Sequence, residues 1–151
     1  MWNLYPNERL REWKAFRQKI GKETLEQACV SVGHLWSYAP YVNHYLDPDR
    51  NHSSISWPDP WTLLHENYYC DIAKSLGMLY TLYLSDHRPL DIELLLGTDM
   101  ETKTPYNLVS LAKGKYILNL EFDSVLNKTH IPQNFKVKHR YTAVDLKLDQ
   151  Y

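Results

Sequence analysis

Cys70 is the residue in this chain best placed to do chemistry. It follows a Pro-rich turn, Trp57-Pro58-Asp59-Pro60-Trp61, then a short apolar helical pattern and a break at Asn67, and it opens a longer helical pattern. A thiol at a helix N-terminus feels the positive end of the macrodipole, which favours thiolate and hence nucleophilic or acyl-transfer chemistry. Such a thiol needs a base. His34, His65 and His87 are the histidines that folding could bring to it. His65-Glu66 looks like the start of a zinc-protease helix motif, but Tyr69 stands where the second histidine belongs. His34, His44, His52, His87, His130 and His139 are dispersed with no ligand spacing, so no metal and no cofactor is expected.

The elements that position Cys70 can be read from periodicity. Leu10, Trp13, Phe16 and Ile20 recur at helical spacing over about residues 7 to 20, with Gly21 as the stop. Glu8, Arg9, Arg11, Glu12, Lys14, Arg17 and Lys19 fall opposite that stripe. A second helix starts at Thr24, with Gln27 completing a capping box, and its stripe is Leu25, Ala28, Cys29, Val32, Leu35 and Trp36, before Pro40. Residues 40 to 57 read as irregular, with Asp47, Pro48, Asp49, Asn51, Ser53 and Ser54 as turn formers. Asp59 caps a short helix with Pro60 at its first position. The next helix runs from about Cys70 to Leu84 and buries Ile72, Ala73, Leu76, Leu79, Tyr80 and Tyr83.

After Pro89 the period changes to that of strands. Asp91 to Leu96 is one; Tyr106 to Ala112 and Lys115 to Phe122 form a hairpin around Lys113-Gly114; Phe135 to Leu148 supplies one or two more. Helices first and strands after define an α+β fold, with helices packed on an antiparallel sheet. One domain over residues 1–151 is expected, with 1–39 as a helical N-terminal extension and 40–151 as the core and C-terminal strands.

Composition narrows the function. The net charge is -1, which gives no global case for nucleic acid or an anionic membrane. Lys136, Lys138 and Arg140 alternate on one strand face and read as a solvated face rather than a nucleic-acid contact. No stretch has the apolar length of a transmembrane helix, and Met1 to Pro6 lacks the features of a signal peptide. The sequons at Asn51 and Asn127 therefore carry no expectation of glycosylation, and two cysteines make no disulfide framework. The expected setting is a reducing cytoplasm or a virion assembled there. Twelve Tyr and five Trp suit protein–protein contact, and Trp13, Trp61, Tyr68 and Tyr69 are the interface candidates.

Residues 40 to 122 resemble the transglutaminase-like superfamily, especially its bacterial cysteine-proteinase-like branch with a papain-like fold. That family reads Trp-x-x-Pro, an apolar pair, then a Gly-Gly-Asp-Cys-Glu-Asp-x-Ala helix start. Trp57, Pro60, Leu63 and Leu64 match the first part; Cys70, Asp71 and Ala73 match the second loosely. The resemblance implies that the following strands carry a catalytic His and Asp. Here they read Tyr106-Asn107-Leu108-Val109-Ser110-Leu111 and Tyr116-Ile117-Leu118-Asn119.

A two-residue turn at Lys113-Gly114 pairs Leu108 with Asn119, which puts Tyr106, Leu108, Ser110, Ile117 and Asn119 on one face. Asn107 then shares the other face with Val109, Leu111, Tyr116 and Leu118. On this parity Tyr106 stands for the histidine, and the constellation is Cys70, Tyr106 and Asn119. It contains no base titrating near neutrality. The sequence thus reads as a decayed enzyme fold kept as a structural or interaction protein, a subunit of a larger assembly such as a tailed-phage head, neck or tail. Its partners would be other protein subunits. The alternative is an active cysteine-dependent hydrolase or acyltransferase using Cys70.

Overall fold

The structure is a computed structural model that describes residues 1–43, 46–48 and 57–151. The Asn51 sequon, His44, His52 and the turn formers Asp49, Ser53 and Ser54 fall outside the described residues. Each helix begins where its local chemistry dictates. α1 (Pro6–Ile20) starts with proline in its first turn and carries Arg17 and Lys19 in its last, where cations suit the dipole. α2 (Leu25–Ser37) has the expected capping box: Gln27 N–H donates to Thr24 Oγ1, and Thr24 N–H donates to Gln27 Oε1. α3 (Pro60–Glu66) is capped by Asp59, whose Oδ1 accepts from Thr62 N–H at 2.8 Å. It stops at Asn67, which adopts a left-handed φ of 60°. α4 (Asp71–Tyr83) follows with Cys70 in its N-cap position. No described helix is long and apolar enough to cross a membrane.

The helices meet around Thr81. Trp13 Nε1 and Trp36 Nε1 each donate to Thr81 Oγ1 at 3.0 Å, and the Thr81 hydroxyl donates to Gly77 O at 2.7 Å. One donor and two acceptor sites are thereby used in full, deep in the core. Trp36 packs closely against α4 because position 77 is glycine; a Cβ there would sit 2.3 Å from its ring. α1 and α2 are part of the same buried cluster as α4 and the sheet.

One residue of α1 departs from the charged face expected for it. Arg9 is buried, and its guanidinium donates to the carbonyls of Leu64, His65 and Leu4 at 2.6, 2.9 and 2.5 Å. Two of those carbonyls belong to the last turn of α3, the negative end of that helix, which accepts a cation.

Five antiparallel strands form one sheet: β1 (Glu93–Asp99), β2 (Pro105–Leu111), β3 (Tyr116–Leu118), β4 (Val125–Leu126) and β5 (Phe135–Thr142), in the order β4-β3-β2-β1-β5. Leu94, Leu96, Val109, Leu111, Tyr116 and Leu118 join the helices in the main core. Leu95, Leu108 and Ile117 form a smaller cluster on the other face, with Tyr106, Phe135 and Val137 against it. The α+β architecture and the hairpin register, Leu111 opposite Tyr116, are as the sequence implies.

Boundaries move for local reasons. Asp91 is not in a strand, because its carboxylate accepts from Ala112 and Lys113 N–H and braces the hairpin turn. β3 ends at Leu118 because Asn119 turns left-handed. β5 ends at Thr142, where Thr142 and Asp145 cap one another's backbone N–H. The basic residues of β5 are not one stripe. A bulge at Lys138, opposite Leu96/Gly97, shifts the register; Arg140 then falls opposite Leu95, and Lys136 opposite Thr98 on the other face. Arg140 pairs with Glu93 at 2.5 Å.

Candidate functional site

The start of α4 is where the sheet reaches the helices with polar side chains. Asp71, the first residue of α4, accepts from Asn107 Nδ2 at 2.6 Å. Asn119 Nδ2 approaches the same carboxylate at 3.3 and 3.4 Å, and also lies 2.7 Å from Ser75 Oγ and 2.9 Å from Asn107 O. Ser75 in turn donates its hydroxyl to Asn107 O at 2.5 Å. Helix, β2 and the residue after β3 are therefore joined by one hydrogen-bonded cluster: Asp71, Ser75, Asn107 and Asn119.

Backbone geometry explains the convergence. Asn107 shares its strand face with Val109 and Leu111, whose side chains pack under the helices, so it too points to α4. Asn119 reaches that face only because its φ is 65°, which swings its side chain off the alternation of β3. Asparagine tolerates this conformation better than most residues.

Three of the expected site residues do not come together. Tyr106 faces the opposite side of the sheet, with its ring 6.1 Å from that of Phe135, because parity sends it away from α4. Cys70 is 5% exposed and lies in the core. Its Sγ accepts from Leu46 N–H at 3.4 Å, and it does not line the cleft at Asp71. The residue that β2 and the Asn119 turn present to the helix is thus Asp71, one position later. Of the expected constellation only Asn119 is in the cluster. The register alone contained the signal for Asn107: it sits on the more apolar strand face, and that face belongs under the helices.

No described histidine bonds to Cys70. His34 Nδ1 pairs with Asp123 at 3.0 Å, His87 Nε2 donates to Ile20 O at 2.9 Å, and His65 is exposed at the end of α3. Of the interface candidates, Trp13 and Tyr69 are fully buried within the chain, Trp13 by its bond to Thr81 and Tyr69 by edge contacts with Trp2 and Trp36. They present no surface to a partner. Tyr68 is 56% exposed. Trp61 is 37% exposed, with Tyr151 and Trp13 packed edge-on against it. Trp57 packs on Tyr141, and Tyr80 ties its loop down by donating its hydroxyl to Pro58 O at 2.8 Å.

Around the cluster lies a cleft of about 440 Å³, lined also by Ser37, Tyr41, Lys74 and Phe122. Lys74 donates to Ser37 O at 3.2 Å and stands over the Tyr41 ring. Burial holds its ammonium below the usual lysine range, against the pull of the nearby Asp71 carboxylate. Asp71 and Lys74 are charged residues of α4 at this cleft, and the groups that β2 and the turn after β3 present to them are the carboxamides of Asn107 and Asn119.

The fold these elements make is transglutaminase-like. It is similar to that of Legionella pneumophila LapG in three structures, one of them EGTA-treated and one calcium-bound. Each superimposes with a TM-score of 0.66 at 14% identity. The match covers 91%, 91% and 90% of this chain and 75%, 74% and 75% of the LapG chains. It therefore extends past residues 40–122 into the N-terminal helices. No protein-family profile matches the sequence, and no curated protein does.

Proposed function

We propose that this chain is a non-catalytic binding protein on a transglutaminase-like fold. One observation carries the reading: the residues that converge on the start of α4 are Asp71, Asn107 and Asn119, a carboxylate held by two carboxamides. An acyl-transfer centre needs a nucleophile and a group to take its proton. Carboxamides do not titrate, and the one thiol near this helix end is turned into the core. The exposed rings of Tyr68 and Trp61 support assembly with other protein subunits, since aromatic residues anchor such contacts. A particle subunit, such as a phage head, neck or tail component, is the setting that the sequence suggests.

Thiol chemistry tests the reading. Native protein is treated with iodoacetamide from about pH 5 to 8, and Cys70 modification is followed by mass spectrometry against the urea-unfolded chain. Native Cys70 is expected to react orders of magnitude more slowly than the unfolded thiol at every pH. Unfolded casein is expected to survive incubation uncut, with no amine incorporated into its glutamines. Rapid alkylation below about pH 7, or turnover of casein abolished by Cys70→Ser, would overturn the proposal.

A further inference from the structure

We infer that the cleft at the start of α4 is a saccharide-binding site, a reading that rests on the cleft's being a binding site rather than a catalytic one. Two features coincide there. The first is a floor of fixed acceptors. Asn107 and Asn119 use their Nδ2 hydrogens inside the cluster, which sets both amide planes. Among the described residues neither Oδ1 has a hydrogen-bond partner. The second feature is an aromatic rim. Tyr41 is 60% exposed and Phe122 66% exposed, both at the cleft.

Phe122 is held out in water by construction. Its loop is bracketed by two non-glycine residues in the left-handed region, Asn119 at φ 65° and Asp123 at φ 53°. Asp123 pins the loop to α2, with its N–H donating to Ser37 Oγ at 3.0 Å and its carboxylate on His34. Tyr38 stands edge-on to the Phe122 ring at 5.2 Å. The turn between Asn119 and Asp123 thus sets a large exposed apolar ring beside a polar cleft.

The ligand chemistry follows from the pairing of ring and amide. A pyranose has an apolar C–H face, which packs on the electron-rich face of an aromatic ring. It also has hydroxyls around its edge, which donate to carboxamide and carboxylate oxygens and accept from an ammonium such as that of Lys74. A peptide strand fits less well. It would pair with the β2 backbone beyond β3, but the Asn107 carbonyl already accepts from Ser75 Oγ and Asn119 Nδ2.

The test is a glycan array of neutral oligosaccharides probed with the labelled full chain, followed by titration calorimetry with chitotriose and maltotriose. Side-chain amide NMR signals of Asn107 and Asn119 are followed through the same titrations. At least one neutral oligosaccharide is expected to bind and to shift both amides. Phe122→Ala, which removes a mostly exposed ring, should weaken binding about tenfold without lowering the melting temperature. A blank array with no calorimetric response, binding that leaves the amides and the Phe122→Ala affinity unchanged, or an extended peptide taking the cleft instead would each overturn the saccharide reading. The thiol test decides separately: a blank array with an inert Cys70 removes the saccharide alone, whereas a reactive Cys70 with casein turnover removes the non-catalytic reading itself.

Discussion

Asn107 places its side-chain amide 2.6 Å from the Asp71 carboxylate, so β2 holds the first residue of α4 directly. A carboxylate at a helix N-terminus is favoured by the dipole, and a bond to a charged acceptor is stronger than a neutral one. Asp71→Ala is expected to lower stability by about 1–2 kcal/mol in urea denaturation. Asn107→Asp should show the sign of the charge. It sets two carboxylates in contact, so one of them is protonated more readily when folded than when unfolded. Relative to the parent, this variant is then least destabilised below about pH 4 and loses ground as pH rises, the reverse of an ion-paired carboxylate. Urea midpoints of both at low and neutral pH check this, and a gap that does not move between them would count against the contact.

Much of this geometry was legible in residue order. The capping box at Thr24 and Gln27, the Asp59-Pro60 start, the stop at Asn67 and the pairing of Leu111 with Tyr116 all follow from local rules. The parity that separates Asn107 from Tyr106 was also legible, as was the more apolar character of the Asn107 face; that the start of α4 lands over Asn107 was not, because that is decided by packing of distant elements. The left-handed turn at Asn119 could not be read either, since asparagine permits that conformation without requiring it. Arg9 looked like a surface charge because its three carbonyl partners lie on other parts of the chain, two of them more than fifty residues away.

Thr81 joins α1, α2 and α4 through one hydroxyl. Its hydroxyl serves two indole N–H groups that have no other partner among the described residues. Thr81→Val keeps the shape and removes both acceptor sites, leaving two buried donors unsatisfied. The expected loss is about 2–4 kcal/mol, read from urea or thermal unfolding. Thr81→Ser retains the oxygen and should recover most of it. A Thr81→Val variant as stable as the parent, with a loss appearing only in Thr81→Ser, would mean that the methyl group, not the hydroxyl, is what matters.

Gly77 sits in the middle of α4, where alanine would ordinarily stabilise by about 1 kcal/mol. Here the added Cβ would meet Trp36 ring atoms at 2.3 to 2.5 Å. The ring is rigid and anchored through its N–H to Thr81, so it cannot give way without losing that bond. Gly77→Ala is therefore expected to destabilise by about 1–3 kcal/mol net, with altered tryptophan fluorescence. A stabilised variant would show that α2 and α4 can separate freely.

Alkaline pH should act through two buried groups. Burial pushes the Cys29 thiol up to about 12, with Glu26 adding to the effect. Burial raises the Tyr80 hydroxyl as well, followed by the charges of Asp59 and Tyr151. In an unfolded chain the thiol ionises near pH 8.5. Between that value and about 12 the unfolded state has lost a proton that the folded state keeps. The stability associated with the protonated thiol is fully present below the unfolded value and is lost as pH rises through this window, by up to about 1.4 kcal/mol per pH unit. Urea midpoints are thus expected to fall steadily above about pH 9. Cys29→Ala removes a titrating group and should flatten the decline at its lower end, whatever it does to stability at neutral pH. Tyr80→Phe should flatten the upper end, while also losing the bond to Pro58 that holds the Trp57 loop on α4. If the Cys29→Ala and parent curves run parallel from neutrality to about pH 11, ionisation of the buried thiol is not what unfolds the chain in alkali.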